Sequence, residues 1–280
     1  MLRFALVPLL SALLAVAAPS QAQVMTGPPK VILLEWETLR PGTSSAHDKV
    51  AAGFAALADR ASSPAHWIGM NAMTGDENQA LFIGGFPSFA AAQQWREAEE
   101  AAFAKSPALK AEAERLEKAG AALHVSQKGV FASYKPDMSY HPPGPADMGK
   151  ARFVEVTVTR IRPGRGPDYE DLMKTLNQAR DKAGVPGHSA AFGVVSGAPS
   201  GTYVWVHPMA ALAEMDGEYG KALIAALGEE QWKKLRMVFA EITEESTRTL
   251  FVINPKASRP HPAVADADPA FWKAAAKGTK

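Results

Sequence analysis

The 280-residue chain contains no cysteine. That absence excludes disulfides, thiol nucleophiles, thiolate zinc sites and iron–sulfur clusters, and leaves burial as the source of stability. An excess of one charge sign is missing as well: 30 Lys and Arg stand against 29 Asp and Glu. No basic field therefore points to nucleic acid or to an anionic membrane surface as a partner. The sequence also lacks a Gly-rich phosphate loop, a Gly-x-Ser-x-Gly elbow and a His-x-Glu-x-x-His spacing, so no metal site and no cofactor is assigned from motifs.

Long apolar runs are scarce, and the clearest one comes first. Met1-Leu2-Arg3, the run from Phe4 to Ala18 and then Ser20-Gln21-Ala22 have the basic start, apolar middle and small-residue exit of a secretory signal peptide. Cleavage after Ala22 is expected, which makes residues 1–22 a leader and the mature protein secreted or periplasmic. The alternative is a membrane anchor, but Pro8 interrupts the run and it falls short of the roughly 20 residues a spanning helix needs. No stable anchor is expected after cleavage. The remaining length suits two domains of roughly 100 to 200 residues.

What is present is a repeat. Leu39-Arg40-Pro41-Gly42 recurs as Ile161-Arg162-Pro163-Gly164, and the same offset pairs Asp59 with Asp181, Pro64 with Pro186, His66 with His188 and Gly75 with Gly197. Such a period is a domain, well above the 20 to 50 residues of solenoid repeats. Each Arg-Pro-Gly corner ends a strand: Pro fixes φ and removes a ladder donor, and Gly lets the chain turn. Before the first corner Ile32, Leu34 and Trp36 alternate with Glu35 and Glu37; before the second, Val154, Val156 and Val158 alternate with Glu155, Thr157 and Thr159. Helical spacing follows over 47–60 and 168–182. Two hairpin strands come next in each half, over 67–73 and 80–86, then 189–195 and 203–207. Helical regions over 89–124 and 210–246, punctuated by Ser106-Pro107 and by Gly228, lead to last strands over 130–134 and 249–253. Each half reads strand, helix, strand, strand, helix, strand, with units at residues 30–135 and 151–255. Between them residues 136–150 form a Pro-rich, stiff linker by composition, and the tail, 256–280, is expected to be poorly ordered or lightly docked.

This order of elements, twice over and with a strand closing on Arg-Pro-Gly, resembles the dimeric α+β barrel superfamily, whose ferredoxin-like units include antibiotic-biosynthesis-monooxygenase-type and NIPSNAP-like domains. The resemblance implies an α+β fold in which two ferredoxin-like βαββαβ units in tandem form one intramolecular barrel, so that self-association is not required for closure. It also implies a lumen lined by the faces that carry Glu35, Glu37, Glu155, Thr157 and Thr159. Physical reasoning agrees on closure, because an isolated half would leave a sheet face and its edges open to water.

Candidate chemistry lies on those faces. Glu35 and Glu155 on barrel-facing strands are candidate general bases, since partial desolvation raises a carboxyl pKa; ion pairing with Arg160 or Arg162 is the competing account. His66 and His188 are candidate acid/base groups, haem ligands or metal ligands, or else strand-entrance residues that satisfy backbone groups. Trp67, Asn71, Tyr203, Trp205 and His207 form a candidate aromatic ligand pocket with polar handles, against simple packing. His47, His124, His141 and His261 look peripheral, and Arg40 and Arg162 anchor the corners. The functional expectation is an exported protein that binds a small, mostly apolar ligand in or beside the barrel. The alternative, implied by the resemblance, is a monooxygenase-type enzyme, cofactor-free or haem-dependent, acting on an aromatic or quinol-like substrate.

Overall fold

The computed structural model describes residues 26–274. The expected leader and the last six residues lie outside them. Strand β1 (Val31–Leu39) runs into the first Arg-Pro-Gly corner, where Gly42 takes φ +79°, and then into helix α1 (Ser44–Arg60). Strands β2 (Trp67–Ala72) and β3 (Gln79–Phe86) make a hairpin, followed by α2 (Phe89–Phe103), α3 (Pro107–Ala121) and β4 (His124–Tyr134). The break between the two helices is written in Ser106-Pro107: the serine hydroxyl accepts from Leu109 N at 3.2 Å, and proline occupies a first-turn position that needs no donor. A short helix α4 (Pro145–Lys150) sits between the halves. The second half then repeats the plan with β5 (Phe153–Ile161), α5 (Gly166–Lys182), β6 (Ala190–Ser196), β7 (Thr202–Met209), α6 (Gly220–Leu227), α7 (Glu229–Ile242) and β8 (Thr243–Ile253). Its corner glycine, Gly164, takes φ +81°, a conformation that costs glycine no steric penalty.

Both corner arginines anchor as expected. Arg40 Nε donates to Ala122 O at 3.2 Å and Arg162 Nε to Glu241 O at 2.7 Å, so each ties its corner to the last turn of the helix that leads into the closing strand, where the terminal carbonyls need donors.

The eight strands close into one antiparallel barrel in the order β1-β3-β2-β8-β5-β7-β6-β4. Each half supplies a ferredoxin-like sheet, and the halves join where β2 meets β8, with Met70 opposite Ile253, and where β4 meets β6, with Ala132 opposite Val194. Closure occurs within one polypeptide, which removes every sheet edge. Among the described residues no helix is long and apolar enough to cross a membrane.

Four expectations change. The lumen is lined by the other strand faces: Ile32, Leu34, Val154, Val156, Phe192 and Phe251 fill it, while Glu35, Glu37, Glu155, Thr157 and Thr159 point outward beneath the helices. The reason is burial, since a closed barrel has a drier interior than its helix-covered outside and takes the more apolar face of each strand. Strands β4 and β8 begin six residues earlier than the periodicity suggests. Polar positions such as Gln127 and Ser246 pair across from Glu37 and Thr159 and continue the ladder past the apolar core. Within 210–219, expected as helix, only a 3-10 segment over Leu212–Asp216 forms, and it buries nothing.

Linker and tail are docked. Met138 is buried, and Asn177 Nδ2 on α5 donates to its carbonyl at 2.6 Å. The tail pairs with β2 through reciprocal Trp67 and Arg259 backbone bonds, then forms α8 (Pro262–Ala265) and α9 (Pro269–Ala274). Trp272, 4% exposed, joins the lumen cluster and donates from Nε1 to Gly149 O at 2.8 Å. Composition hid this because a lone Phe271-Trp272 pair carries the anchoring. A residual space of about 140 Å³ remains at that end of the barrel.

Candidate functional site

Because the polar strand faces look outward, each half builds a cavity between its sheet and its helices. The first has a volume of about 530 Å³ and the second about 510 Å³, sizes that suit a small organic ligand.

In the first cavity β1 presents Leu33, Glu35 and Glu37, β3 presents Phe82 and Phe86, and α2 contributes Trp95, Glu99 and Phe103 from consecutive turns. Water reaches Glu35 through the cavity, yet protein surrounds it on most sides. That crowding, and then the charge of Glu37, push its carboxyl above the ordinary range. Glu99 is pushed up to about 7, by burial first and then by Glu35. Two carboxyls thus face one aromatic-walled cavity, and the charge of Glu35 disfavours ionisation of Glu99. Further along, Glu37 is buried too, but hydrogen bonds from His47 and Gln127 and the proximity of His124 outweigh burial and hold it below the ordinary range. His66 also lines this cavity; burial, then Arg259 and His261, lower it to about 4, so it is neutral near pH 7.

The second cavity carries different groups. Glu155 pairs with Arg248 at 3.5 Å, and His207, Trp205 and Tyr169 form one wall. Burial first of all holds the His207 imidazole below its usual range. Trp205 Nε1 donates to Tyr169 Oη at 3.0 Å. Arg180 projects from α5 toward Tyr140, its guanidinium 5.5 Å from the ring centroid and 3.3 Å from Asn177 Oδ1, and no carboxylate pairs with it among the described residues.

Of the residues singled out from sequence, Glu35, His66 and Trp67 meet in the first cavity, and Glu155, Trp205 and His207 in the second. The single aromatic pocket is thereby corrected to two, one per half, because β2 and β7 belong to different halves and are separated in the barrel by β8 and β5. Three residues line neither cavity. Asn71 donates to Asp48 Oδ1 at 3.0 Å. Tyr203 packs on Tyr169 and reaches Glu170 at 3.4 Å; burial and then that carboxylate push its phenol up to about 12. His188 stands outside, its Nδ1 2.7 Å from His141 O, which is the backbone-satisfying role weighed against the chemical one. Glu155 finds its ion pair with Arg248 on β8, while Arg160 pairs with Glu244 at 2.8 Å.

Sequence reasoning missed Glu99, although Trp95, Glu99 and Phe103 at four-residue spacing share one helix face. It also set aside His47 and His124 as peripheral. Both line the first cavity beside Glu37, and the three donor atoms lie within 4.8 Å of one another. No spacing signal joins residues drawn from β1, α1 and β4.

No protein-family model and no curated protein matches the chain. Solved structures do match. An anthrone oxidase-like protein is 15% identical over 82% of this chain and 94% of its own, with a TM-score of 0.50. A mutant chlorite dismutase from Candidatus Nitrospira defluvii is 9% identical over 92% of this chain and 100% of its own, with a TM-score of 0.48. The chain has the dimeric α+β barrel fold. At these identities the likeness speaks for the fold alone, and chemistry has to be read from the cavities of this dimeric α+β barrel themselves.

Haem does not suit the first cavity. Its lining contains Glu35, Glu37, Glu99 and Glu117 and neither lysine nor arginine, a poor setting for two propionates, and the paired histidines of the haem reading do not share a site, since His188 faces away.

Proposed function

We propose that the protein is an exported dimeric α+β barrel that binds small, mostly apolar molecules between sheet and helices, and that its first-half cavity acts on an aromatic or quinol-like substrate by proton transfer. One observation carries this reading: the carboxyls of Glu35 and Glu99 lie in a cavity walled by Phe82, Phe86, Trp95 and Phe103. An aromatic ring gains burial and edge-to-face contacts from such walls, and its hydroxyl meets a carboxyl instead of water. Glu99 titrates near neutrality, where a general base is most effective. In the step envisaged, the hydroxyl O–H bond breaks, the proton passes to the carboxylate oxygen, and the electron pair stays on the substrate as a phenolate. In a cofactor-free monooxygenase-type reaction that electron-rich ring is oxidised by dioxygen. One oxygen atom forms a carbon–oxygen bond as a ring C–H breaks, giving a quinone, and the other leaves as water with the two hydrogens lost from the substrate, which supplies the electrons. The acid–base pair is what favours it.

A second reading applies to the other half. The unpaired Arg180 in an aromatic-walled cavity supports binding of an apolar organic anion, since a desolvated guanidinium offers strong charge-assisted hydrogen bonds.

Calorimetric titration with hydroquinones and naphthols, followed by oxygen-electrode assays, tests the first reading. Binding is expected, with turnover that Glu99→Gln lowers by about 100-fold. Binding without oxygen consumption removes the enzymatic part, and the absence of binding to any of these rings removes the reading altogether.

A further inference from the structure

Glu37 near the end of β1, His47 in the first turn of α1 and His124 at the start of β4 converge at one end of the first cavity. We propose that these three residues bind a divalent first-row transition-metal ion, with its remaining coordination positions open to the cavity.

The geometry is that of a donor set. His47 Nε2 and His124 Nε2 lie 2.6 and 3.4 Å from the same atom, Glu37 Oε2. The other carboxylate oxygen is held by Gln127, whose Nε2 donates to Oε1 at 2.9 Å, an orienting contact of the kind that supports metal ligands. Ligands about 2.0–2.2 Å from a zinc-like ion stand about 3.3 Å apart in a tetrahedral arrangement. His124 already has that separation from Oε2, and His47 reaches it by a shift of under about 1 Å, within the range of a small side-chain rotation.

Unsatisfied polar atoms supply a second observation. Among the described residues both ring nitrogens of His124, and His47 Nδ1, are buried without a hydrogen-bond partner, and of these His124 Nε2 is the one the ion engages. A buried polar atom left unpaired is destabilising. A simple ion pair between Glu37 and His47 accounts for the 2.6 Å contact but leaves His124 Nε2 at 3.4 Å from the same carboxylate oxygen with no hydrogen bond. A metal ion uses both Nε2 atoms and the one carboxylate oxygen at once.

The donors also select the class of ion. Two imidazoles and one carboxylate suit iron(II), cobalt(II) or zinc(II), whereas calcium and magnesium require oxygen ligands. Three protein ligands leave the ion incompletely coordinated, as in catalytic centres. The second half cannot repeat the site. Strand register and helix position place Thr159, Tyr169 and Thr243 where Glu37, His47 and His124 stand, so one ion per chain is expected. The site does not depend on the ligand reading, because metal can be titrated with no organic molecule present.

The test is a titration of the untagged protein, stripped by chelation, with cobalt(II) followed by visible d–d absorption and with zinc(II) by calorimetry. One equivalent of each should bind. Glu37→Gln and His124→Asn should abolish the visible band, Gln127→Ala should weaken binding by about tenfold, and Thr159→Val should leave it unchanged. Circular dichroism establishes that each variant is folded, and metal should raise the melting temperature of the parent but not of His124→Asn. Failure to bind an equivalent of either ion, or a band that survives intact in folded Glu37→Gln or His124→Asn, overturns the proposal.

Discussion

The two halves share a frame almost rung for rung. Strands β1 and β5 have nine residues each, α1 and α5 seventeen, β4 and β8 eleven, and the cavities beneath the helices are nearly equal in volume. Their contents are opposite. The first is acidic, with Glu35, Glu37, Glu99 and Glu117; the second sets Arg180, Arg236 and Arg248 against the single carboxylate Glu155. Even the strand carboxylates are out of step, because the register counterpart of Glu35 is Thr157, whereas Glu155 occupies the place of Leu33. Residues that determine the backbone, such as the corner Arg-Pro-Gly, recur in both halves, and residues that face the cavities differ. A sheet–helix cavity contributes little to barrel closure, so its chemistry can diverge while the frame stays intact.

The helix roofs differ as well, and this gives the largest expected effect. In the first half Leu116 of α3 is 3% exposed and meets α1 at Gly53, where an added Cβ would lie 2.7 Å from Leu116 Cδ2. In the second half α6 buries no residue, α7 buries only Ile242, and Leu235 is half-buried. Leu116→Ala should therefore cost about 3 kcal/mol in urea unfolding, and Leu235→Ala about 1 kcal/mol or less. Equal losses would show that the roofs are packed alike.

Next in size is the charge preference of the cavities. Arg180→Met keeps much of the side-chain bulk and removes the guanidinium. Charge-assisted hydrogen bonds are worth about 1.5–3 kcal/mol, so binding of 1-naphthoate should weaken by about 10- to 100-fold while binding of 2-naphthol changes little. An equal loss for both would assign the effect to the arginine stem, which packs as well as carries charge.

Much of the frame is legible in the sequence. Alternation in β1 and β5, the repeated corner and the helix breaks at Ser106-Pro107 and Gly228 are local features with local causes, and each falls where the structure has it. The side of the sheet that faces inward was misread. Period-two alternation separates two faces but does not say which is drier, and that depends on closure of all eight strands. The sites were legible only in part: Glu35, His66, Trp67, Glu155, Trp205 and His207 do face cavities, because face membership follows from alternation. Glu99 lies in a helical region rich in Ala and Glu, where nothing in the composition sets one carboxylate apart from its neighbours. His124 lies 87 residues from Glu37 in the chain, and only the pairing of β1 with β4 brings them together.

The smallest effect separates the carboxylates themselves. Burial and then the charge of Glu35 raise Glu99 from 4.5 to about 7, so between those values the folded state holds more protons than the unfolded chain. Stability contributed at this position is therefore greatest below pH 4.5, falls as pH rises toward 7, and is level above it. The side chain is partly in water, which reduces the penalty to about 1 kcal/mol. Glu99→Gln should stabilise the protein by that amount at pH 8 and have almost no effect at pH 4. Glu155→Gln, which removes an ion pair with the exposed Arg248, should shift stability at pH 8 by under about 0.5 kcal/mol. If Glu99→Gln proves neutral or destabilising at pH 8, the first cavity is wetter than its walls suggest, and the contrast between the halves then rests on charge alone.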